Sequence, residues 1–176
     1  MKSVVGLDPS LAATGICVSG FAPKTIVTKP GTKAITTRIC RLNVIAAEVM
    51  NRVHPGSLVV IEAPGFSRGA QPGHHQLAGL WWLLVILLDA RGVQFVEVSP
   101  STLKKFATGR GNATKADMRM ALFKRAGIDL PDDNQVDAWW LMQIGLHLVG
   151  SADVIDLPKD QLAVLSPLRG QLPAPG

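Results

Sequence analysis

The feature that most limits what this chain can become is a short apolar run ending on a charge, Val4-Val5-Gly6-Leu7-Asp8. After Pro9-Ser10 and a turn through small residues, Thr14-Gly15-Ile16-Cys17-Val18 runs back. Both runs have the length and composition of strands. An acid at the end of a buried strand sits at the rim of a core, where its charge needs a partner. A metal ion is one such partner, and an Asp that merely caps the turn is the plainer account. The residue alone leaves both open.

The 176 residues suit one domain with a real core, and the 47% apolar content with mean hydropathy +0.25 is that of a globular protein. The longest apolar run, Leu77 to Leu88, contains Gly79 and is too short to span a bilayer. No basic-then-apolar leader precedes the first strand, so neither a membrane span nor a secretory signal is expected, and the cytoplasm is the expected compartment. Two cysteines, Cys17 and Cys40, make neither a disulfide framework nor a zinc site and are expected to pack as small hydrophobes. The formal net charge of +5 favours a polyanionic partner without requiring one.

Further along, Lys24 to Thr28 alternates and adds a third antiparallel strand, broken by Pro30-Gly31. Ile39, Leu42, Ile45, Ala46, Val49 and Val53 recur at helical spacing, predicting a helix from about Thr36 to Val53. Leu58 to Ile61 is again a short apolar run, and it delivers Glu62 at its end. If the two acid-tipped strands are parallel neighbours, Asp8 and Glu62 lie close at the carboxyl edge of an α/β sheet, where ligands gather. Like charges that close require a cation between them to stay ionised.

Ala63 to Gly73 reads as a loop containing Phe66 and Arg68, followed by an apolar helix from about His75 to Ala90 that includes Trp81-Trp82. His74-His75 are expected to be surface residues. A strand over Val93–Val98 and a short helix from Ser99-Pro100 to about Phe106 come next. Gly109-Arg110-Gly111-Asn112-Ala113-Thr114-Lys115 is a basic, glycine-rich loop entering a helix that runs to about Ala126. Its backbone and the helix amino terminus suit a phosphate, although the spacing is not that of a Walker loop; a solvated loop is the alternative. The last major helix, from Pro131–Asn134 to about Val149, carries Trp139-Trp140 and one acid among apolar neighbours, Asp137. Asp132 or Asp133 caps its start. Both tryptophan pairs read as core or as a dimer seam. Residues 1–150 form the domain, and 151–176, rich in Pro and Gly, are expected to be a loosely attached tail.

Taken together, strand-Asp, strand-Glu, basic glycine loop and helix-Asp resemble the RuvC-type Holliday junction resolvases of the RNase H-like superfamily, of a phage type. The resemblance runs from about Val4 to Gly150. It rests on Gly6-Leu7-Asp8-Pro9 with Thr14-Gly15, Val60-Ile61-Glu62, Gly109-x-Gly111-x-Ala113-x-Lys115 and Asp137-Ala138. It implies an α/β, RNase H-like fold with a mixed five-stranded sheet, its first three strands antiparallel, flanked by helices. It also implies a homodimer that cuts two strands of a four-way DNA junction symmetrically, in the bacterial host cytoplasm if phage-encoded. By the same resemblance Asp8, Glu62 and Asp137 are catalytic metal ligands, and Lys115 contacts DNA and assists catalysis. Phe66 falls close to an aromatic that wedges into the junction. One position departs from the pattern: Asn134 stands where the family has Asp or His. Its amide oxygen can hold a hard cation, and Asp133 is the acid that could complete the site beside it.

Such a site would bind two Mg²⁺ ions about 4 Å apart, with Mn²⁺ able to substitute, to activate water and stabilise the leaving 3′ oxygen. Lys115 would add positive charge at the scissile phosphate. Arg68, Lys104, Lys105, Arg110 and Arg119 would hold backbone phosphates with a salt-sensitive, sequence-independent affinity. Two alternatives remain: a nuclease of the same fold for flaps and forks, and a non-catalytic nucleic-acid-binding member. An actin-like ATPase would need a chain about twice as long.

Overall fold

In the computed structural model, which describes residues 2–65 and 73–172, five strands form one mixed sheet in the order β3-β2-β1-β4-β5. These are β1 (Val4–Asp8), β2 (Ala13–Val18), β3 (Lys24–Val27), β4 (Leu58–Glu62) and β5 (Gln94–Val98). The first three are antiparallel neighbours, while β1, β4 and β5 run parallel. The mixed sheet and its antiparallel opening are as the sequence predicts.

Helices α1 (Ile35–Met50) and α2 (His74–Ala90) cover one face. The other face carries α3 (Pro100–Thr108), α4 (Lys115–Ala126) and α5 (Asp133–Val149), with the short α6 (Lys159–Leu162) and α7 (Leu165–Arg169) packed outside them. Strand side chains alternate between the two layers. Val4, Leu58, Val60, Val96 and Val98 belong to the core under α5, whereas Val5, Leu7, Val59 and Ile61 belong to the core under α1 and α2. Asp8 and Glu62 have the parity of Val4 and Val60, so both acids project toward the α5 layer.

Close approach of α5 depends on three glycines. A Cβ on Gly6 would run into the backbone of Ala138 and Met142, and one on Gly15 into the backbone of Asn134. One on Gly145 would meet the side chains of Val4 and, at 2.9 Å, Val60. Backbone therefore packs on backbone, which brings the first turns of α5 down onto β1 and β2. The amino terminus of α5 is pinned from the far edge of the sheet. Asp132 caps it by accepting the Gln135 N–H at 2.9 Å, and the Thr25 hydroxyl donates to the other Asp132 oxygen at 2.7 Å.

Two expectations need correction. The stretch after Gly150 is no loose tail: Leu157, Leu165 and Leu168 are buried in the α5 core, and the buried Gln161 donates to the Phe106 carbonyl at 2.8 Å. Gln171 then clips the outer edge of β5, its amide bonding both the N–H (2.8 Å) and the C=O (3.0 Å) of Glu97. Isolated leucines among Pro, Gly and Asp carry no periodicity, which is why the sequence reading missed them. Cys17 is buried as expected, but Cys40 is exposed on the outer face of α1. Among the described residues no helix is long and apolar enough to cross a membrane.

Replacing Gly6 with Ala should destabilise the protein by about 3 kcal/mol or more in urea unfolding, because backbone cannot yield to the new methyl. Gly20→Ala, at a positive φ with open space around it, should cost only about 1–2 kcal/mol.

Candidate active site

The parallel register of β1 and β4 sets Leu7 beside Ile61, so the next residues, Asp8 and Glu62, emerge side by side at the carboxyl edge. Asp137, one turn into α5, comes down from above. Each of the three offers a carboxylate oxygen such that all lie within 4.8 Å of one another, and all three residues are partly buried. The Asp8 and Glu62 carboxyls interact closely enough that ionising one disfavours ionising the other.

Charge crowding follows. Burial raises the Asp8 pKa well above the usual carboxylate range, with Glu62 and Asp137 pushing the same way and Lys115 opposing. Burial, with the Asp137 charge, pushes Glu62 up to about 7 against its bond to Asp8 and the pull of Lys104 and Lys115. Asp137 is raised by burial to about 6, with Lys115 and Lys104 opposing and Asp133 adding to the rise. Three acids held apart from water and close together are a poor arrangement for stability and a good one for a hard cation.

The supporting residues are local. The Thr14 hydroxyl, fully buried, donates to the Ser10 carbonyl at 2.7 Å and accepts the Ser10 N–H at 3.1 Å, closing the turn after Asp8. Trp81 donates its indole N–H to the Glu62 carbonyl at 3.0 Å, which holds the end of β4. Trp81 also walls a cavity of about 260 Å³ beside the acids, together with Pro9, Pro64, Leu77 and Pro100. The bonds made by Thr14 and Trp81 and the Thr25–Asp132 link are not legible in the sequence, because the partners are backbone groups or lie far along the chain.

Other expected site residues fall in different places. Asp133 is outside the acidic group: it forms an ion pair with Lys115 at 3.5 Å. Asn134 sits with its backbone carbonyl against Gly15, at the β2 end of the site. Lys104 is half-buried and acts on Glu62 and Asp137, whereas Lys105 is exposed. Arg110 pairs with Asp117 at 3.3 Å. Arg119 is engaged within the protein, bonding Asp129 at 3.0 Å and the Leu130 carbonyl, and so braces the approach to α5. The amino terminus of α4 is closed by a capping box in which Thr114 and Asp117 bond each other's backbone N–H, so an acid already stands where a phosphate was expected. Phe66 and Arg68 lie outside the described residues. His74 and His75 are exposed at the start of α2, as expected.

No protein-family model matches the chain. It is 29% identical over 133 residues to the crossover junction endodeoxyribonuclease RuvC of Neorickettsia sennetsu, covering 71% of this chain and 79% of that protein. The RuvC structure of Thermus thermophilus superposes with a TM-score of 0.63 at 18% identity, over 85% of this chain and 97% of that one. The chain resembles RuvC in sequence and shares its fold. The T. thermophilus RuvC bound to a Holliday junction substrate matches equally, with a TM-score of 0.63 at 20% identity, over 86% of this chain and 98% of that one. The RuvC-type resemblance and the RNase H-like fold expected from the motifs therefore stand.

The crowded acids make a pH prediction. An unfolded chain releases these protons near the ordinary values of 3.8 to 4.5, whereas in the folded protein Asp137 keeps its proton up to about 6, Glu62 up to about 7, and Asp8 well above its ordinary range. The folded state binds more protons across that window, so stability in chelator should fall as pH rises from about 4 to 7. Thermal melts in EDTA should show a higher Tm near pH 5 than near pH 7.5. Asp8→Asn should flatten that difference and raise the Tm at pH 7.5.

Proposed function

We propose that this chain is a metal-dependent, structure-selective DNA endonuclease that resolves four-way junctions by paired symmetric nicks. The observation that carries the reading is the convergence of Asp8, Glu62 and Asp137 from two strand ends and a helix. The likeness to RuvC, one member of which has been solved with a Holliday junction substrate, supports the choice of DNA.

The donor set fits a hard divalent cation: it is all oxygen, partly buried and repulsive without one. Asp8, Glu62 and Asp137 would hold Mg²⁺, with Mn²⁺ as a substitute of like preference, and Asn134 or Asp133 completing the set. Bound there, two such ions supply Lewis acidity at the phosphoryl oxygen and a water of lowered pKa. Lys104 and Lys115 favour the ionised form of the acids and add positive charge where the phosphoryl oxygens gain negative charge. Lys115 is exposed, and its pairing with Asp133 keeps the ammonium beside the site. Lys105 and Arg110 extend the basic surface along α3 and the loop after it.

Paired nicks call for two copies. Trp82 and Ile86, both 59% exposed, stand one turn apart on α2, an apolar face suited to a second copy of this chain, and the neighbouring α1 also exposes Ile39 and Val44. The protein would act on branched DNA in the cytoplasm as a homodimer.

The test is cleavage of a synthetic four-way junction beside flap, fork and linear duplex substrates, with and without Mg²⁺. The junction should be cut preferentially and only with the metal. Asp8→Asn or Asp137→Asn should lower the rate by at least about a thousandfold while leaving junction affinity in chelator within about threefold. Lys115→Ala should cost about tenfold to a hundredfold in rate. A junction left intact under all metals, or cut equally well by Asp8→Asn, would overturn the reading. For the dimer, Trp82→Ser with Ile86→Ser should sediment as a monomer where the parent protein sediments at twice that mass.

A further inference from the structure

Between Pro9 and Ala47 the chain contains five cations (Lys24, Lys29, Lys33, Arg38 and Arg41) and no acid. The fold brings the part that follows β3 to the edge of the sheet where the acids stand. Strand β3 is antiparallel to β2, which is antiparallel to β1, so β3 ends at the same edge of the sheet as Asp8 and Glu62. Lys29 follows that end directly. Position is then secured by bonds to the turn that leaves Asp8. Thr28 donates its N–H to the Ala12 carbonyl at 3.0 Å and its hydroxyl to the Leu11 carbonyl at 2.6 Å. Arg41 reaches from α1 to bond the Leu11 carbonyl at 2.6 Å and the Thr28 carbonyl at 3.1 Å. Downstream, the Thr32 and Thr37 hydroxyls join at 2.9 Å and hold the connection against the first turns of α1.

Arg41 is thereby occupied, but its neighbours are not. Lys29 and Lys33 are exposed and have no ion-pair partner among the described residues. The Nε of Arg38 is buried and lacks a hydrogen-bond acceptor among the described residues. A guanidinium N–H in that state is costly unless an acceptor arrives from outside the chain.

Strand order fixes the relation to the other cations. Lys104 is on α3, which follows β5, and Lys115 reaches in to Asp133 at the start of α5, while Lys29 and Lys33 follow the end of β3 and Arg38 is in the first turns of α1. Along the strand order the acids of β1 and β4 therefore fall between Lys104 and the lysines that follow β3. From the end of β3 to Asp8 is two strand spacings, about 10 Å. Duplex DNA presents about three phosphates of each strand over that length.

We propose that Lys29, Lys33 and Arg38 form a second phosphate-contact surface, which takes the DNA backbone on the β3 side of the acids. The substrate then lies across the carboxyl edge of the sheet, from this surface past Lys115 and the acids to Lys104. This deepens the nuclease reading and rests on it. Phosphates on both sides of the cut would be fixed, so the scissile group cannot pivot away from the acids.

The test is junction binding in EDTA, followed by fluorescence anisotropy over a salt series, with the full chain. Lys29→Ala with Lys33→Ala should raise Kd about tenfold or more, and the slope of log K against log salt should shrink by about 2, near 0.9 per lost contact. Arg38→Gln should weaken binding further, with a Tm within a few degrees of the parent. Lys2→Ala removes a charge at the opposite end of β1 and should leave Kd within about twofold. If the double variant matches the parent in both Kd and slope while the parent binds and cuts, this surface is wrong and the nuclease reading survives. If the parent binds no branched DNA at all, both fall together.

Discussion

Helix α5 lies on the sheet with backbone against backbone, and the acidic site exists because of it. Gly6, Gly15 and Gly145 remove the side chains that would otherwise hold the two layers about 10 Å apart. Asp137 can then reach Asp8 without a long side chain. The same contact explains why Asp132, Thr25 and Gln135 are linked at the start of the helix, since a small rotation there would carry Asp137 out of range. Arg119 serves this end as well, by tying Asp129 and Leu130 to α4.

Around that contact, stability and chemistry pull in opposite directions. The three carboxyls are raised in pKa by burial and by one another, so the folded protein carries strain in the form of unmatched charge. Two apolar cores, one on each face of the sheet, outweigh it. Cations lie near the acids yet do not neutralise them: Lys104 and Lys115 act across a distance, and Lys115 is paired with Asp133 instead. What results is a site with a standing demand for positive charge, set in a surface that is itself basic.

Much of this was readable before any coordinates. Strands of four to six residues with an acid at the tip are legible because alternation is short-ranged, and Asp137 stands out against Trp139, Trp140 and Ile144. Helix limits came within a few residues for the same reason. What stayed hidden depends on partners distant in the chain. Thr25 and Asp132 are 107 residues apart, and nothing in either neighbourhood announces the other. The glycine loop before α4 misled because Asp117 reads as a surface acid in the sequence, although in the fold it closes the helix end. The i−4 spacing of Asp133 to Asp137 is legible in the sequence, whereas its ion pair with Lys115 is invisible to periodicity.

The grip of Gln171 on Glu97 shapes how copies of this protein can meet. An outermost strand with free N–H and C=O groups invites any passing extended peptide to extend the sheet. Here a single amide imitates such a peptide at Glu97 and satisfies both of its groups, so the border is blocked at that residue. Pairing through this stretch of β5 is disfavoured, so in the proposed homodimer the relative orientation of the two acidic sites would be left to packing between helix faces.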